Sequence, residues 1–190
     1  MKKLLAVAVC LILALSMAAP AETGAAQGEK AEIGSLEVNG EFILKAGMPE
    51  GYDIVSLFSD TQTSIWMISD YDDGTRPTMF LQIAFDEAYA DVARLNDLSE
   101  EDLNELLATW TMEYDGIVSF PETAYGTKLI QFVENGDYID FVSIFTIYQG
   151  YCIEFDMIPA GDTDESLTRE QIDLCIRFLS DMDFIPIEAE

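Results

Sequence analysis

The chain has 190 residues, of which 49% are hydrophobic and 11% aromatic, and this content is ample for one packed domain. Its 36 acidic residues against 9 basic ones give a formal net charge of −27, which repels nucleic acid and anionic lipid headgroups. The sequence contains no histidine, which excludes histidine-dependent catalytic triads, zinc sites with histidine ligands and haem with a histidine ligand. We therefore expect an acidic globular monomer that binds no nucleic acid.

The N-terminal segment has the pattern of an export signal. Lys2 and Lys3 precede an uninterrupted apolar run over 4–15, and small residues follow up to Ala21. This order is typical of a secretory signal peptide that is cleaved after Ala21. An uncleaved anchor is less favoured, because the run is shorter than the roughly 20 residues that a spanning helix needs. We predict a secreted or cell-envelope protein with no transmembrane segment after cleavage of residues 1–21.

The next segment, residues 22–34, mixes Glu, Gly, Ala, Thr and Gln without an apolar period. Such a composition predicts a flexible leader. We expect a single folded domain over 35–190.

Four dipeptides, each flanked by alternating or apolar runs, predict tight turns between antiparallel strands. They are Asn39-Gly40, Asp73-Gly74, Asn135-Gly136 and Gln149-Gly150. If the last two are two-residue turns, Lys128 lies opposite Ser143, and Ser143 lies opposite Asp156. Both faces of these long strands carry large apolar side chains, which indicates a sheet covered on each side.

Two helices are predicted. The first begins after Ser99, whose hydroxyl can cap free backbone amides, and the second begins at the capping box Thr168-Arg169-Glu170-Gln171. Each has one apolar stripe and must therefore lie on a sheet. The predicted fold is α+β: a mainly antiparallel sheet covered by helices in an α/β/α sandwich.

The order of these elements resembles that of the PsbP-like family of small exported or organelle-lumen domains. The resemblance covers about 42–187, from Glu41-Phe42-Ile43-Leu44 and Met48-Pro49-Glu50-Gly51-Tyr52 to Asp183-Phe184-Ile185-Pro186. It implies the α/β/α sandwich and a non-catalytic protein that binds partners. The metal role of the photosynthetic members does not carry over through histidine, because this chain has none.

A polar cluster interrupts one apolar face of the predicted sheet. In the predicted register Lys128, Ser143 and Asp156 lie side by side on three strands, and Glu154 lies one pleat away. A lysine beside two carboxylates suits a small ligand-binding site. The alternative is a solvated edge of the sheet where the covering helix ends.

Two further features have open interpretations. Asp70, Asp72 and Asp73 provide oxygen ligands for low-affinity calcium binding, but the glycine spacing departs from a calcium loop and also fits a hairpin turn. Cys152 and Cys175 form a possible disulfide if the last helix covers the face that carries Cys152. If the helix covers the opposite face, both are buried free thiols.

The favoured functional interpretation is a secreted or cell-envelope binding module without catalysis or cofactor. Its partner would be an unidentified protein or a small cationic or amphipathic ligand. The first alternative is an accessory domain that binds calcium or another cation. The second is a hydrolase that uses carboxylates alone, which is disfavoured because the sequence has no histidine and no nucleophile motif.

Overall fold

The structure is a computed structural model of the chain, and it describes residues 30–31, 36–47, 51–70, 76–111, 116–134, 139, 141–159 and 166–187. For 30–31, 109–111 and 174–178 the backbone alone is described. The predicted signal peptide, 1–21, and the turns Asp73-Gly74 and Asn135-Gly136 lie outside the described residues.

The described strands form two sheets, and every pairing between them is antiparallel. The strands are β1 (Lys30–Ala31), β2 (Leu36–Val38), β3 (Phe42–Lys45), β4 (Asp53–Ser59), β5 (Thr63–Ser69), β6 (Thr78–Phe85), β7 (Gly116–Ser119), β8 (Ile130–Glu134), β9 (Val142–Tyr148), β10 (Tyr151–Ile158) and β11 (Asp183–Pro186). The large sheet has the order β1-β4-β5-β6-β10-β9-β8-β7, and the small sheet has the order β11-β3-β2.

Two α-helices are described, α1 (Glu100–Thr111) and α2 (Arg169–Ser180), with short 3-10 turns at Glu87–Tyr89 and Leu95–Asp97. The Ser99 hydroxyl accepts a hydrogen bond from the Asp102 amide at 3.1 Å, which starts α1 as predicted. The predicted capping box of α2 is also formed: the Gln171 amide donates to Thr168 Oγ1 at 3.2 Å, and the Thr168 amide donates to Gln171 Oε1 at 2.7 Å. Neither of these described helices is long and apolar enough to cross a membrane.

Two of the predicted turns are present. Gln149 and Gly150 have φ of 49° and 80° and place Tyr148 opposite Tyr151, as a two-residue turn requires. Only glycine fits at position 150, because a Cβ there would lie 2.8 Å from the Phe85 ring. At the turn Asn39-Gly40, the Glu41 amide donates to the Val38 carbonyl at 2.9 Å, but Val38 pairs with Phe42, so three residues rather than two separate the paired strands.

One face of the large sheet, here called the covered face, packs against the small sheet and α2. Phe42 of β3 makes edge contacts with Tyr148, Tyr151 and Phe184, with ring centroids 4.9 to 5.8 Å apart. Ile172 and Leu179 of α2 are buried in the same cluster. Large apolar side chains from β4, β5, β6, β9 and β10 complete it, among them Ile54, Ile68, Met79, Leu81, Ile144, Ile153, Phe155 and Met157. The main core therefore lies between the two sheets.

The opposite face, here called the half-covered face, packs against α1 and the 3-10 turns. Leu106 of α1 and Leu95 are buried there against Ile130, Phe145 and Ile147 of β8 and β9. Among the described residues, this cluster includes Cys152 of β10 but no residue of β4, β5 or β6. The cover over this face therefore extends across only part of the sheet.

The α/β/α sandwich predicted from the sequence is wrong. The described residues are mostly strand, and much of the covered face packs against a second sheet rather than a helix. The prediction failed because apolar side chains on both faces show that a sheet is covered without showing what covers it. Within the predicted leader, Lys30 and Ala31 pair with Val55 and Ile54 of β4.

Candidate functional site

Glu154 and Asp156, here called the acidic pair, lie two residues apart on β10 and therefore point to the same face, the half-covered one. Ser143 of β9 lies opposite Asp156, as predicted. The Ser143 hydroxyl donates to Glu154 Oε1 at 3.0 Å. Three of the four residues of the predicted polar cluster are thus neighbours in the structure.

The predicted position of Lys128 beside Ser143 is wrong. Phe132 pairs with Ser143, so β8 is displaced along β9 relative to the register that a two-residue turn would impose. Lys128 instead lies before β8, where its backbone forms an isolated antiparallel β-bridge with Glu122. Its ammonium group lies 5.2 Å from the centre of the Phe120 ring. The Lys128 carbonyl accepts a hydrogen bond from Thr146 Oγ1 at 2.9 Å. The acidic pair therefore has a hydroxyl as its neighbour on β9 and no lysine.

The strand on the other side of β10 contributes residues that the sequence did not reveal. On β6, Phe80 lies opposite Asp156 and Gln82 lies opposite Glu154. Gln82 is buried, and its amide adds an uncharged oxygen and two N–H donors to this part of the face. The pairing of β6 with β10 joins segments that are distant in the chain, so no local turn pattern predicts it.

Both carboxyl groups resist ionisation. Burial raises the pKa of Asp156 well above its usual range, and the neighbouring Glu154 carboxylate raises it further, while Ser143 acts in the opposite direction. Burial likewise raises the pKa of Glu154, opposed by the Ser143 hydroxyl. Asp156 is only 3% exposed, and its Oδ1 atom has no hydrogen-bond partner, whereas Glu154 is partly exposed. The pair therefore has unused acceptor capacity and reaches solvent through Glu154.

The apolar part of the half-covered face that lies beside the pair, here called the open strip, comes from β4, β5 and β6. Its members share this face by register and are all partly or largely exposed: Val55, Phe58, Ile65, Met67 and Phe80. Phe58 is 48% exposed, and Leu57 in the adjacent bulge is 52% exposed. Large side chains exposed next to one another in this way are typical of a binding surface.

The predicted calcium ligands are not brought together as a metal site in the described residues. Asp70 is buried and its Oδ2 accepts from the Arg76 guanidinium at 2.6 Å, while Asp72 and Asp73 lie outside the described part. Arg76 also lies over the Tyr52 ring, 4.4 Å from its centre. No group of three or more acidic, cysteine or histidine side chains in the described ranges could hold a metal ion. Asp70 thus anchors an arginine.

Cys152 is a buried free thiol. Ile172 and Leu179 place α2 on the covered face, whereas Cys152 lies on the half-covered face, so the condition for a disulfide between Cys152 and Cys175 is not met. The side chain of Cys175 lies outside the described part. Burial raises the pKa of the Cys152 thiol, as do the nearby Asp86 and Glu154 carboxylates, so this thiol is a poor nucleophile.

No family model, no curated protein and no solved structure matches the chain. The resemblance to the PsbP-like family therefore stays a prediction.

Proposed function

We propose that this protein is an exported, non-catalytic binding module whose ligand surface is the open strip of the half-covered face. The observation that carries the proposal is the asymmetric cover of the large sheet. The covered face buries its apolar side chains against the small sheet and α2, whereas Phe58, Ile65 and Met67 on the other face remain accessible. An apolar surface of this kind gains free energy when a ligand removes it from water.

The ligand class follows from what adjoins the strip. Its apolar side chains favour a hydrocarbon or aromatic moiety, and the unpaired Asp156 Oδ1 at its border on β10 favours a hydrogen-bond donor. The large negative charge of the whole chain disfavours an anion. The surface therefore suits an amphipathic ligand that is neutral or cationic.

A neutral probe tests the surface without involving charge. Nile red, whose emission rises in apolar surroundings, should bind the folded protein saturably. Phe58→Ser should weaken binding about fivefold or more, because it removes a large exposed ring from the strip. Phe120→Ser is the matched control, since Phe120 is 43% exposed but lies after β7, at the other end of the sheet. Equal losses in both variants, or no saturable binding to the folded wild type, would contradict the proposal.

Export is part of the proposal and rests on residues 1–21. After expression with its natural N-terminus in a secreting bacterial host, the protein should be recovered outside the cytoplasm with Glu22 as its first residue. N-terminal sequencing checks this. An uncleaved chain that stays in the cytoplasm would contradict export.

A further inference from the structure

The acidic pair holds unused hydrogen-bond acceptors at the border of the open strip. Asp156 Oδ1 has no partner although Asp156 is 3% exposed, and a buried acceptor left unpaired costs free energy. Ser143 donates to Glu154 Oε1, which leaves the second Glu154 oxygen for another donor. The fold thus leaves a buried acceptor without a donor, and a donor-rich cation would supply one.

The surroundings of the pair supply no cation from the described residues. Its neighbours across the strands are Ser143, Phe145, Phe80 and Gln82, all uncharged. The ionisable side chains described further along this face carry no positive charge. Cys152 is next on β10, and Tyr89 packs in the same buried cluster. Beyond them lie Asp86, Asp102 and Glu105.

We propose that the acidic pair is the recognition site for the primary ammonium group of an amphipathic amine whose apolar part lies on the open strip. This inference rests on the proposed function. An ammonium group brings three N–H donors, which match Asp156 Oδ1, the second Glu154 oxygen and the Gln82 amide oxygen. Phe80, which lies opposite Asp156 and is partly exposed, is the side chain of the open strip next to this position.

An organic cation fits this position better than a metal ion. Calcium sites usually combine several carboxylates, whereas only two adjoin here, and no group of three or more acidic, cysteine or histidine side chains that could hold a metal ion occurs in the described ranges. A metal ion would also make no use of the adjoining Phe80, Ile65 and Met67, whereas an alkyl or aromatic amine would bury them.

Calorimetric titration at fixed salt tests the inference with four ligands of one chain length: decylammonium, decyltrimethylammonium, decanol and decanoate. The three ionic ligands are kept below their micellar concentrations and decanol below its solubility limit. Decylammonium should bind about tenfold or more tightly than decanol, because charge-assisted hydrogen bonds add to the same apolar contact. Decyltrimethylammonium, which has the charge but no N–H donors, should bind no more than a few times better than decanol.

Variants separate the pair from the general negative field. Asp156→Asn and Glu154→Gln should each reduce the preference for decylammonium over decanol about tenfold, with decanol binding unchanged. Asp91→Asn is the matched control, since it removes one exposed carboxylate elsewhere and should leave the preference intact. Two substitutions at the pair keep the test valid if one of them fails to fold.

Proton release provides a second readout. In buffers of different ionisation enthalpy, wild type near neutral pH should release up to about one proton per bound decylammonium, since the incoming charge favours the ionised pair. Equal binding of the two cations, insensitivity to both pair substitutions, or the same proton release with calcium would overturn the ammonium site. Failure of decanol to bind at all would instead overturn the proposed function.

Discussion

The two faces of the large sheet are built from alternate residues of the same strands, yet they differ in how fully their side chains are packed and hydrogen-bonded. On β10, Ile153, Phe155 and Met157 point to the covered face and pack in a continuous apolar core. Glu154 and Asp156, between them in the chain, point to the half-covered face, where Asp156 Oδ1 lacks a partner and the open strip meets solvent. The covered face packs internally, whereas the other face leaves apolar side chains exposed and one buried acceptor without a partner.

The largest expected difference between the faces is in stability. Phe42→Ala should lower the free energy of unfolding by about 3–5 kcal/mol, because Phe42 is fully buried among three aromatic rings of the covered face. Phe58→Ala should cost less than about 1 kcal/mol, since Phe58 is half-exposed. Urea unfolding of both variants measures this. Similar losses in the two would show that the open strip is also core.

A second comparison sets Asp70, which has a cation, against Asp156, which has none. Arg76→Met should cost about 1–3 kcal/mol, because the largely buried Asp70 carboxylate loses the guanidinium 2.6 Å away. The double variant Asp70→Asn/Arg76→Met should recover part of that loss, since no unpaired charge then remains. Additive effects in a double-mutant cycle would show that the ion pair contributes nothing.

The pH dependence of stability should reveal the acidic pair. Because burial raises the pKa values of Asp156 and Glu154 in the folded state, the unfolded chain releases these protons first as pH rises. Stability from this source is complete below the ordinary carboxyl pKa of about 4 and falls as pH rises toward the raised values. Wild type should therefore be less stable at pH 8 than at pH 5.

Asp156→Asn should reduce this fall, because an amide does not ionise. Urea unfolding at several pH values checks it, with Asp91→Asn as the control that removes an exposed charge of the same sign. If both variants lose stability with pH as steeply as wild type, the folded pair does not retain its protons, and general charge repulsion explains the pH dependence of the unfolding free energy.

The smallest expected effect concerns ions. Added salt should raise the melting temperature by screening the net charge of −27, by about 2–4 °C for each kcal/mol of repulsion relieved. Calcium and sodium should act alike at matched ionic strength, because Asp70 is engaged with Arg76. Scanning calorimetry with both salts measures this, and an excess effect of calcium would point to a specific site among the acids.

Local signals in the sequence predicted local structure well. The Gln149-Gly150 turn and the Thr168 capping box occur as predicted, because each depends on residues next to one another in the chain. The Ser143, Glu154 and Asp156 cluster followed from that turn alone. By contrast, no turn dipeptide of the predicted kind flanks β4, so no local signal predicts this strand.

Strand pairing between distant parts of the chain accounts for most of the wrong predictions about the sheets and the polar cluster. Gln82 lies beside Glu154 because β6 pairs with β10. The small sheet likewise depends on a long-range pairing, that of β11 with β3. Lys128 was misplaced because one assumed turn length fixed the register of a whole strand. The sequence contains no alternation or spacing that decides such long-range choices.

Methyl-resolved NMR during a decylammonium titration tests the central claim, that the half-covered face binds ligand, most directly. Labelled Val55, Ile65 and Met67 of the open strip should shift progressively and saturably. Met79, Ile153 and Met157 of the covered face should stay in place, although they lie on the same or neighbouring strands. Shifts confined to the covered face, or spread evenly over both faces, would contradict the account.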